Sequence, residues 1–206
     1  MRAFTRLDAP AVLNDPVGPK STPRWMHLGD RYTTNRGRNP GFTFQWPIVG
    51  GKTLNQYLLP MLREQTVDHC SYCDGYPLGK GDESIDHFLP KLSRTYYALV
   101  CQWENLYLAC GHCQKSKGER VDPLVLRPDE PDYSFERYFS YDYIDQKIDI
   151  NIIASPGDQQ RARATHQFFD FDDTQLVTKR RHAYNRYSRD PNPLLDDYNF
   201  RFIFDL

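Results

Sequence analysis

The sequence predicts an α+β fold that a zinc ion stabilises near its centre. Two Cys-x-x-Cys pairs, Cys70/Cys73 and Cys110/Cys113, are separated by 36 residues. Between the pairs, short apolar runs bounded by Gly and Pro predict strands, and helical patterns flank the pairs on both sides. Four thiolates in two such pairs suit one tetrahedral zinc ion.

The composition is that of a chain that can pack a core. Of its 206 residues, 39% are apolar and 26% are charged, and the net charge is −1. This length suits one domain or a small domain with elaborations. The N-terminus lacks the apolar core of a signal peptide, and no apolar run approaches the roughly 20 residues of a membrane span. We expect a cytoplasmic protein with reduced thiols and no membrane association, in which Cys101, the fifth Cys, is a small buried hydrophobe.

The first predicted region, residues 1–66, is an N-terminal arm followed by a helix. Residues 1–52 are rich in Pro, Gly, Arg and Thr and show weak periodicity, so we expect an extended arm with short elements. Its interleaved aromatic and basic residues suit either docking on the core or contact with phosphates or a partner. Thr53 and Gln56 fit a capping box at the start of the helix. Pro60 is expected to kink or split this helix.

The second predicted region, residues 67–122, is the zinc-binding core. We expect a loop at 74–84, a strand at 84–89, a second strand at 106–108 and a helix after Gly111. The first strand carries Asp86 and His87, whose side chains should point to opposite faces. They can reach one site only if the strand ends or bends there, as the following Pro90 favours.

The third predicted region, residues 123–206, is a hairpin followed by helices that pack on the core. Residues 141–153 alternate as a hairpin does. Ser155 with Pro156 predicts one helix start, and Asp172 or Asp173 predicts another.

A basic run in the second of these helices has two interpretations. It contains five Lys and Arg residues and no acid between 179 and 189. It suits a solvated helix face, or a surface at which Lys179, Arg180 and Arg181 contact nucleic acid or a partner protein.

The central motifs, in their order along the chain, resemble the HNH (ββα-metal) endonucleases. The matching segments are Ile-Asp-His-x-x-Pro at 85–90, Trp-Glu-Asn-Leu-x-Leu at 103–108 and Cys-x-x-Cys-x-x-x-Lys-Gly at 110–118. The stretch from Cys70 to Gly118 that contains them covers about a quarter of the chain. The resemblance implies a ββα-metal core with four-cysteine zinc knuckles that hydrolyses phosphodiester bonds, in DNA by preference or in RNA.

The resemblance also implies a role for each polar residue of the core. His87 takes the place of the general base, and an imidazole with a pKa near 6.5 would make activity rise between about pH 6 and 7. Asp86 and Gln114 would bind a catalytic Mg²⁺ or Mn²⁺, since such ions prefer oxygen ligands. Asn105 would orient the loop that carries the His. The basic residues expected to contact nucleic acid in this region are Lys91, Lys115 and Lys117.

Gln114 departs from the family pattern, which has His or Asn at this position. Its amide oxygen can bind a metal, but its side chain is one methylene longer than that of Asn. His112 is an alternative ligand if the helix turns differently. The departure leaves open a catalytically silent, zinc-stabilised module that binds a partner or DNA without cutting.

The flanking regions resemble a narrower group, the HNH proteins of Septu-type and retron-associated antiphage defence. The similarity lies in the Met-Arg start, the helix before the first knuckle and the segment 161–187. It implies an effector of a defence complex whose partner is an ABC-type ATPase encoded alongside. A stand-alone HNH enzyme of a mobile element is a further alternative, although the chain lacks a separate sequence-reading domain.

Overall fold

The capped helices and short apolar strands form a mixed α+β fold with small sheets. The computed structural model describes residues 1–76, 78 and 81–204. Pro77, Gly79 and Lys80 of the predicted loop 74–84, and Asp205 and Leu206 of the third region, lie outside the described residues. In chain order the described elements are α1 (Ala11–Asn14), β1 (Pro16–Val17), β2 (Thr22–Pro23), α2 (Arg24–Arg38), β3 (Ile48–Val49), β4 (Lys52–Thr53), α3 (Asn55–Thr66), β5 (Glu83–His87), β6 (Leu106–Cys110), α4 (Gly111–Lys117), α5 (Phe135–Tyr138), β7 (Phe139–Asp142), β8 (Lys147–Ile150), α6 (Pro156–Phe169) and α7 (Thr174–Tyr187).

The sheets of the described part are antiparallel pairs of consecutive strands. In the central pair, β5 and β6, His87 lies opposite Leu106 and Glu83 lies opposite Cys110. Helix α4 begins directly after β6 and ends at Gly118, whose φ of 55° favours glycine, as predicted. The sheet therefore joins two features: one end carries a zinc-motif cysteine, and the other carries the Asp-His dipeptide.

The N-terminal region contains a helix of 15 residues, α2, where the sequence predicted an extended arm. That part of the prediction is wrong. Gly29 and Gly37 lower the intrinsic helix propensity of this segment, but tertiary packing decides its structure. Buried Tyr32 and partly buried Leu28 face the core, and α2 packs against a 3₁₀ helix at Arg94–Leu99.

Helix α3 is a single helix, so the predicted split at Pro60 does not occur. Proline removes one backbone donor, and the buried residues Leu58 and Leu62 on either side hold the helix in the core. The Gln56 side chain accepts a hydrogen bond of 2.9 Å from the backbone N–H of Thr53. This is the reciprocal half of a capping box, and it fixes the turn that leads into α3.

The C-terminal region follows its sequence signals closely. The predicted hairpin is the pair β7–β8, with Gln146 at φ 61° in the turn. Ser155 caps α6 by accepting from the N–H of Asp158, and Asp173 caps α7 by accepting from the N–H of Gln175. No described helix is both long enough and apolar enough to cross a bilayer.

The segment after α7 returns to the first cysteine pair. The buried guanidinium of Arg201 donates to the carboxylate of Asp74 at 2.7 Å, and the backbone N–H of Phe200 donates to the Asp74 carbonyl at 2.7 Å. The carbonyl of Tyr198 is 2.9 Å from Nε2 of buried His69. These contacts cover the loop that follows Cys70, which is buried as far as Asp74.

Candidate zinc centre and candidate active site

The four paired cysteines meet at one point, as the sequence predicted. Their Sγ atoms all lie within 4.8 Å of one another, and the Sγ atoms of Cys73 and Cys110 are 3.7 Å apart. A tetrahedral zinc ion with bonds of about 2.3 Å to sulfur requires edges of roughly 3.8 Å. The cluster could therefore hold a metal ion such as zinc.

Two backbone N–H groups donate hydrogen bonds to sulfur atoms of this cluster. The N–H of Cys110 donates to Sγ of Cys70 at 3.4 Å, and the N–H of Cys113 donates to Sγ of Cys110 at 3.5 Å. Such hydrogen bonds stabilise the charged form of a sulfur ligand. Cys101, by contrast, is fully buried away from the cluster, and burial raises the pKa of its thiol to about 12. It is a packing residue, as expected.

A small cleft of about 190 Å³ lies at the other end of the β5–β6 sheet. Asp86 and His87 both line it, because the strand ends at His87. Gln114 lines it from the first turns of α4. The remaining charged residues around the cleft are Lys91, Lys117 and Glu119.

His87 is held in one orientation by groups that the sequence did not indicate. Its Nε2 lies 2.9 Å from the carbonyl of Val100, and its Nδ1 is buried without a hydrogen-bond partner among the described residues. The ring of Trp46 stacks on the imidazole at 5.8 Å, and Phe44 meets it edge-on at 5.6 Å. Because a carbonyl can only accept, the proton resides on Nε2 and the lone pair on Nδ1.

Burial has a large effect on the titration of His87. Burial, together with the positive charges of Lys91 and Lys117, lowers the pKa of His87 from 6.5 to about 3, although the hydrogen bond to Val100 opposes the shift. The expectation of a pKa near 6.5 is therefore wrong. The imidazole is neutral throughout the physiological range.

Asp86 is buried and has two partners. The hydroxyl of Tyr72 donates to its carboxylate at 2.8 Å, and the ammonium of Lys117 lies 3.3 Å from it. Burial raises the pKa of Asp86 above its usual 3.8, while Lys117 and Tyr72 oppose this shift. Lys117 itself is 1% exposed. Its ammonium neutralises Asp86 inside the cleft, so it is not a solvated helix residue, and its predicted contact with a phosphate stays a prediction.

Asn105 connects the strand to the loop that follows His87. Its Oδ1 accepts from the N–H of Leu89 at 2.7 Å, and its Nδ2 donates to the carbonyls of Leu89 and Leu99, each at 3.1 Å. The amide thus uses its acceptor and both donors on backbone groups. It thereby holds the segment after His87 and the segment before Val100, the two residues that the hydrogen bond joins.

The predicted basic residues do not form one surface. Lys91 lines the His87 cleft, whereas Lys115 and Lys179 line a separate groove of about 620 Å³ beside the cysteine cluster. His112 lines that groove too and not the cleft, which argues against it as an alternative ligand. Arg181 is exposed and lines another groove, together with later residues of α7.

The burial of Arg180 contradicts the prediction that it contacts nucleic acid or a partner together with Lys179 and Arg181. It is 1% exposed. Its guanidinium donates to the carbonyls of Gln146 and Phe171 and to the carboxylate of Asp172, at 2.7 to 3.1 Å. These partners come from the β7–β8 turn and from the segment between α6 and α7. Arg180 therefore has a structural role, which its position in a basic run concealed.

Three contacts of the candidate site escaped the sequence analysis. Tyr72 lies inside the first Cys-x-x-Cys pair and binds Asp86. Phe44 and Trp46 come from the N-terminal region and enclose His87. The alternation of Phe42, Phe44 and Trp46 was visible in the sequence, but nothing in it indicated which residue they cover.

The fold and site thus define a mixed α+β protein with a four-cysteine cluster that could bind zinc and an adjacent Asp-His cleft. A scan against protein-family models and a search of curated proteins both return no match.

Proposed function

We propose that the chain is a metal-dependent HNH endonuclease that hydrolyses phosphodiester bonds, with DNA as its favoured substrate. The state of His87 carries the proposal: Nε2–H donates to Val100, and Nδ1 is buried without a partner among the described residues. A general base needs this neutral form and a free lone pair. The succession of β5, β6 and α4 supports the same assignment, because it has the element order of a ββα-metal core.

In the proposed reaction, Nδ1 of His87 accepts a proton from the water that attacks the phosphorus atom. Val100 holds the imidazole in the required tautomer, and Asn105 holds the loop. Asp86 and Gln114, which both line the cleft, would hold Mg²⁺ or Mn²⁺ through oxygen atoms. Such an ion supplies Lewis-acid stabilisation of the transition state and of the leaving oxygen. Lys91 provides positive charge for the phosphate.

An imidazole with a pKa of about 3 is a weak base until its surroundings change. Lys91 and Lys117 contribute to this low pKa, because their charges disfavour the imidazolium. A phosphate bound beside them would offset their charges and raise the pKa of His87. The base would thereby become stronger when substrate is present.

The experiment that tests the proposal is cleavage of plasmid DNA and RNA with Mg²⁺ or Mn²⁺, in the presence of the ATPase partner. His87→Ala should reduce the rate by about 10²- to 10⁴-fold. His182→Ala is the matched control, because this His is exposed on α7. Cleavage by His87→Ala at the same rate as by an active unaltered protein would reject the mechanism.

Gln114→Asn tests the unusual metal ligand. If Gln114 is a strained ligand, the shorter amide should keep or improve Mg²⁺-dependent cleavage. If Gln114 has left the metal site, Asn should create activity that the native chain hardly shows. Failure of every variant to cleave, with the partner present, would favour the catalytically silent binding module.

The binding module is the second candidate because Asp86 already has a cationic partner. Lys117 neutralises Asp86 at 3.3 Å, and Gln114 stands where the family has a stronger ligand. In this alternative, the zinc-stabilised fold recruits nucleic acid or a partner without hydrolysis.

We also propose that the chain acts in an antiphage defence complex with an ABC-type ATPase. The support is the resemblance of the flanking regions. Lys179 and Arg181 are exposed and offer cationic contacts. Changing both to Glu should weaken co-purification with the ATPase or binding of nucleic acid, while the zinc content stays unchanged. Unaltered binding of both would leave these residues as a solvated helix face.

A further inference from the structure

An aromatic groove lies beside the His87 cleft and has no part in the mechanism above. Its volume is about 170 Å³, and the rings of Tyr32, Phe42, Phe44 and Trp46 line it. Tyr32 is the buried centre of this cluster, with ring centroids 6.1 Å from Phe42 and 5.6 Å from Phe44. The other three aromatic residues are partly exposed. The groove therefore presents ring surfaces to solvent next to the candidate catalytic base.

Two contacts connect the wall of the aromatic groove to the wall of the cleft. Trp46 lines the groove and also stacks on the imidazole of His87 with an interplanar angle of 18°. The hydroxyl of Tyr32 donates to the carbonyl of Lys91 at 2.9 Å, and Lys91 lines the cleft. A ligand that contacts Trp46 in the groove would thus be separated from His87, the proposed general base, by one side chain.

The groove is formed without a ligand, because Arg36 holds its outer wall. The Arg36 guanidinium donates to the carbonyl of Phe42 at 2.9 Å and lies over the ring of Tyr97 at 5.4 Å. The N–H of Phe42 also donates to the carbonyl of Asn39 at 2.9 Å. The segment with Phe42 is therefore attached to α2, and little ordering is needed when a ligand binds.

The polar groups of the groove suit a nucleobase and its phosphate. Arg31, Asn35 and Gln45 supply one guanidinium and two amides among the lining residues. Amides can pair with the hydrogen-bonding edge of a base, and aromatic faces accept any base by stacking. Between residues 20 and 52 the chain has six Lys and Arg residues against one acid. This charge favours a polyanion over an apolar peptide.

We propose that the aromatic groove binds one unpaired base of a DNA strand whose phosphodiester lies in the His87 cleft. The proposal rests on the proposed nuclease function and narrows its substrate to single-stranded or locally unpaired DNA. A volume of about 170 Å³ accommodates one base and no duplex. Leu28 and Pro47 add an apolar wall, which suits the methyl group that thymine has and uracil lacks.

The test measures binding separately from cleavage. Oligothymidylate, oligouridylate, duplex DNA and an abasic DNA strand of equal length are titrated in His87→Ala protein without added Mg²⁺. Oligothymidylate should bind most tightly. Adding Trp46→Ala should weaken its binding roughly 5- to 150-fold, because stacking on one base contributes about 1–3 kcal/mol. Binding of the abasic strand should not change. Ile48→Ala is the matched control, since Ile48 is 74% exposed and lies outside the groove.

A second measurement keeps Trp46, so it does not require the Trp46→Ala variant to fold. An oligothymidylate with a single 2-aminopurine should lose emission when that base stacks in the groove of the protein with Trp46 intact. Exposed Gln45→Ala should alter the preference among bases without changing the zinc content.

The outcomes separate this proposal from the proposed function. Equal loss of thymidylate and abasic binding in Trp46→Ala, or unquenched 2-aminopurine, would overturn the base-binding groove even if His87-dependent cleavage is present. Tighter binding of oligouridylate would overturn the assignment of DNA. Trp46-dependent base binding without any cleavage would support the groove and count against the nuclease. Absence of binding to every single strand would reject the groove.

Discussion

Arg180 donates from its guanidinium to three buried or half-buried acceptors, whereas Arg181, the next residue of α7, is exposed. Sequence composition treats the two residues alike, since both belong to one basic run. Their environments differ because successive helix positions are about 100° apart around the axis. At the scale of single residues, burial therefore decides whether a charge supports the fold or meets a partner.

Arg180→Ala should destabilise the protein by about 1–3 kcal/mol, because the buried carbonyls of Gln146 and Phe171 lose their donor, while Asp172 keeps the N–H of Ile148. Arg181→Ala should stay within about 0.5 kcal/mol of the unaltered protein. Urea unfolding of the zinc-loaded protein measures both values. Equal stability of the two variants would contradict the structural role of Arg180.

The pH dependence of His87 follows from its lowered pKa. In the folded protein the imidazole should stay neutral between pH 5 and 8, since its pKa is about 3, while in the urea-unfolded chain it should titrate near 6.5. NMR of the imidazole measures both states. The unfolded state binds more protons between these two pKa values, so the contribution of His87 to stability falls as the pH drops from 6.5 toward 3.

The same shift bears on catalysis. The profile of kcat/KM reports the free enzyme, so it should show no ascending limb from His87 between pH 6 and 7. A chemical-shift change of the folded His87 centred near pH 6.5 would contradict the burial described above.

Helix α2 is the element that connects the N-terminal region to the candidate site. Gly29 allows a close approach: a Cβ at this position would lie 2.1 Å from the carbonyl oxygen of Ala98. Ala98 belongs to the 3₁₀ helix that ends just before Val100, the acceptor of the His87 hydrogen bond. The position of α2 is thus coupled by direct packing to the loop that orients the imidazole.

Gly29→Ala should destabilise the protein by roughly 1–3 kcal/mol, because the added methyl group overlaps the backbone of Ala98. Gly37→Ala in the same helix meets no atom of the described residues within 4 Å and should be neutral or stabilising by up to about 1 kcal/mol. Thermal unfolding of both variants measures the difference. A stabilised Gly29→Ala variant would show that the two helices do not pack as described.

The elements that the sequence predicted well are those with local signals. Ser155 and Asp173 cap their helices through their own side chains, and Gly118 ends α4. Helix α2 escaped prediction because its stability comes from a distant 3₁₀ helix. The paired cysteines were predicted to meet because their spacing is itself the signal. The enclosure of His87 by Trp46 depends on a contact across 41 residues, which no local pattern encodes.

For the whole molecule, the cysteine cluster links the segment before β5 to the start of α4. The cluster residues come from both sides of the candidate site, and the contacts of Arg201 attach the C-terminal region to the same place. In proteins with structural zinc, metal binding contributes directly to the free energy of folding. Loss of the metal should therefore affect the core and the C-terminal region together.

Cys73→Ser should lose bound zinc and become poorly soluble, because a three-sulfur site binds the metal weakly. Cys101→Ser removes an equally buried thiol outside the cluster. It should keep one zinc ion per chain and cost about 1–3 kcal/mol for burying a hydroxyl. Elemental analysis with circular dichroism distinguishes the two variants. Well-folded native protein without zinc would contradict the assignment.

The pairing of Asp74 with Arg201 has a consequence for the order in which the molecule is made. The two residues are 127 positions apart, and a ribosome adding about 5–20 residues per second needs roughly 6 to 25 s between them. During that interval the nascent loop that begins at Cys70 remains open to water. A chain whose translation stops early lacks the residue that closes it. Synthesis of the chain as far as Arg201 is thereby coupled to the covering of the loop that follows Cys70.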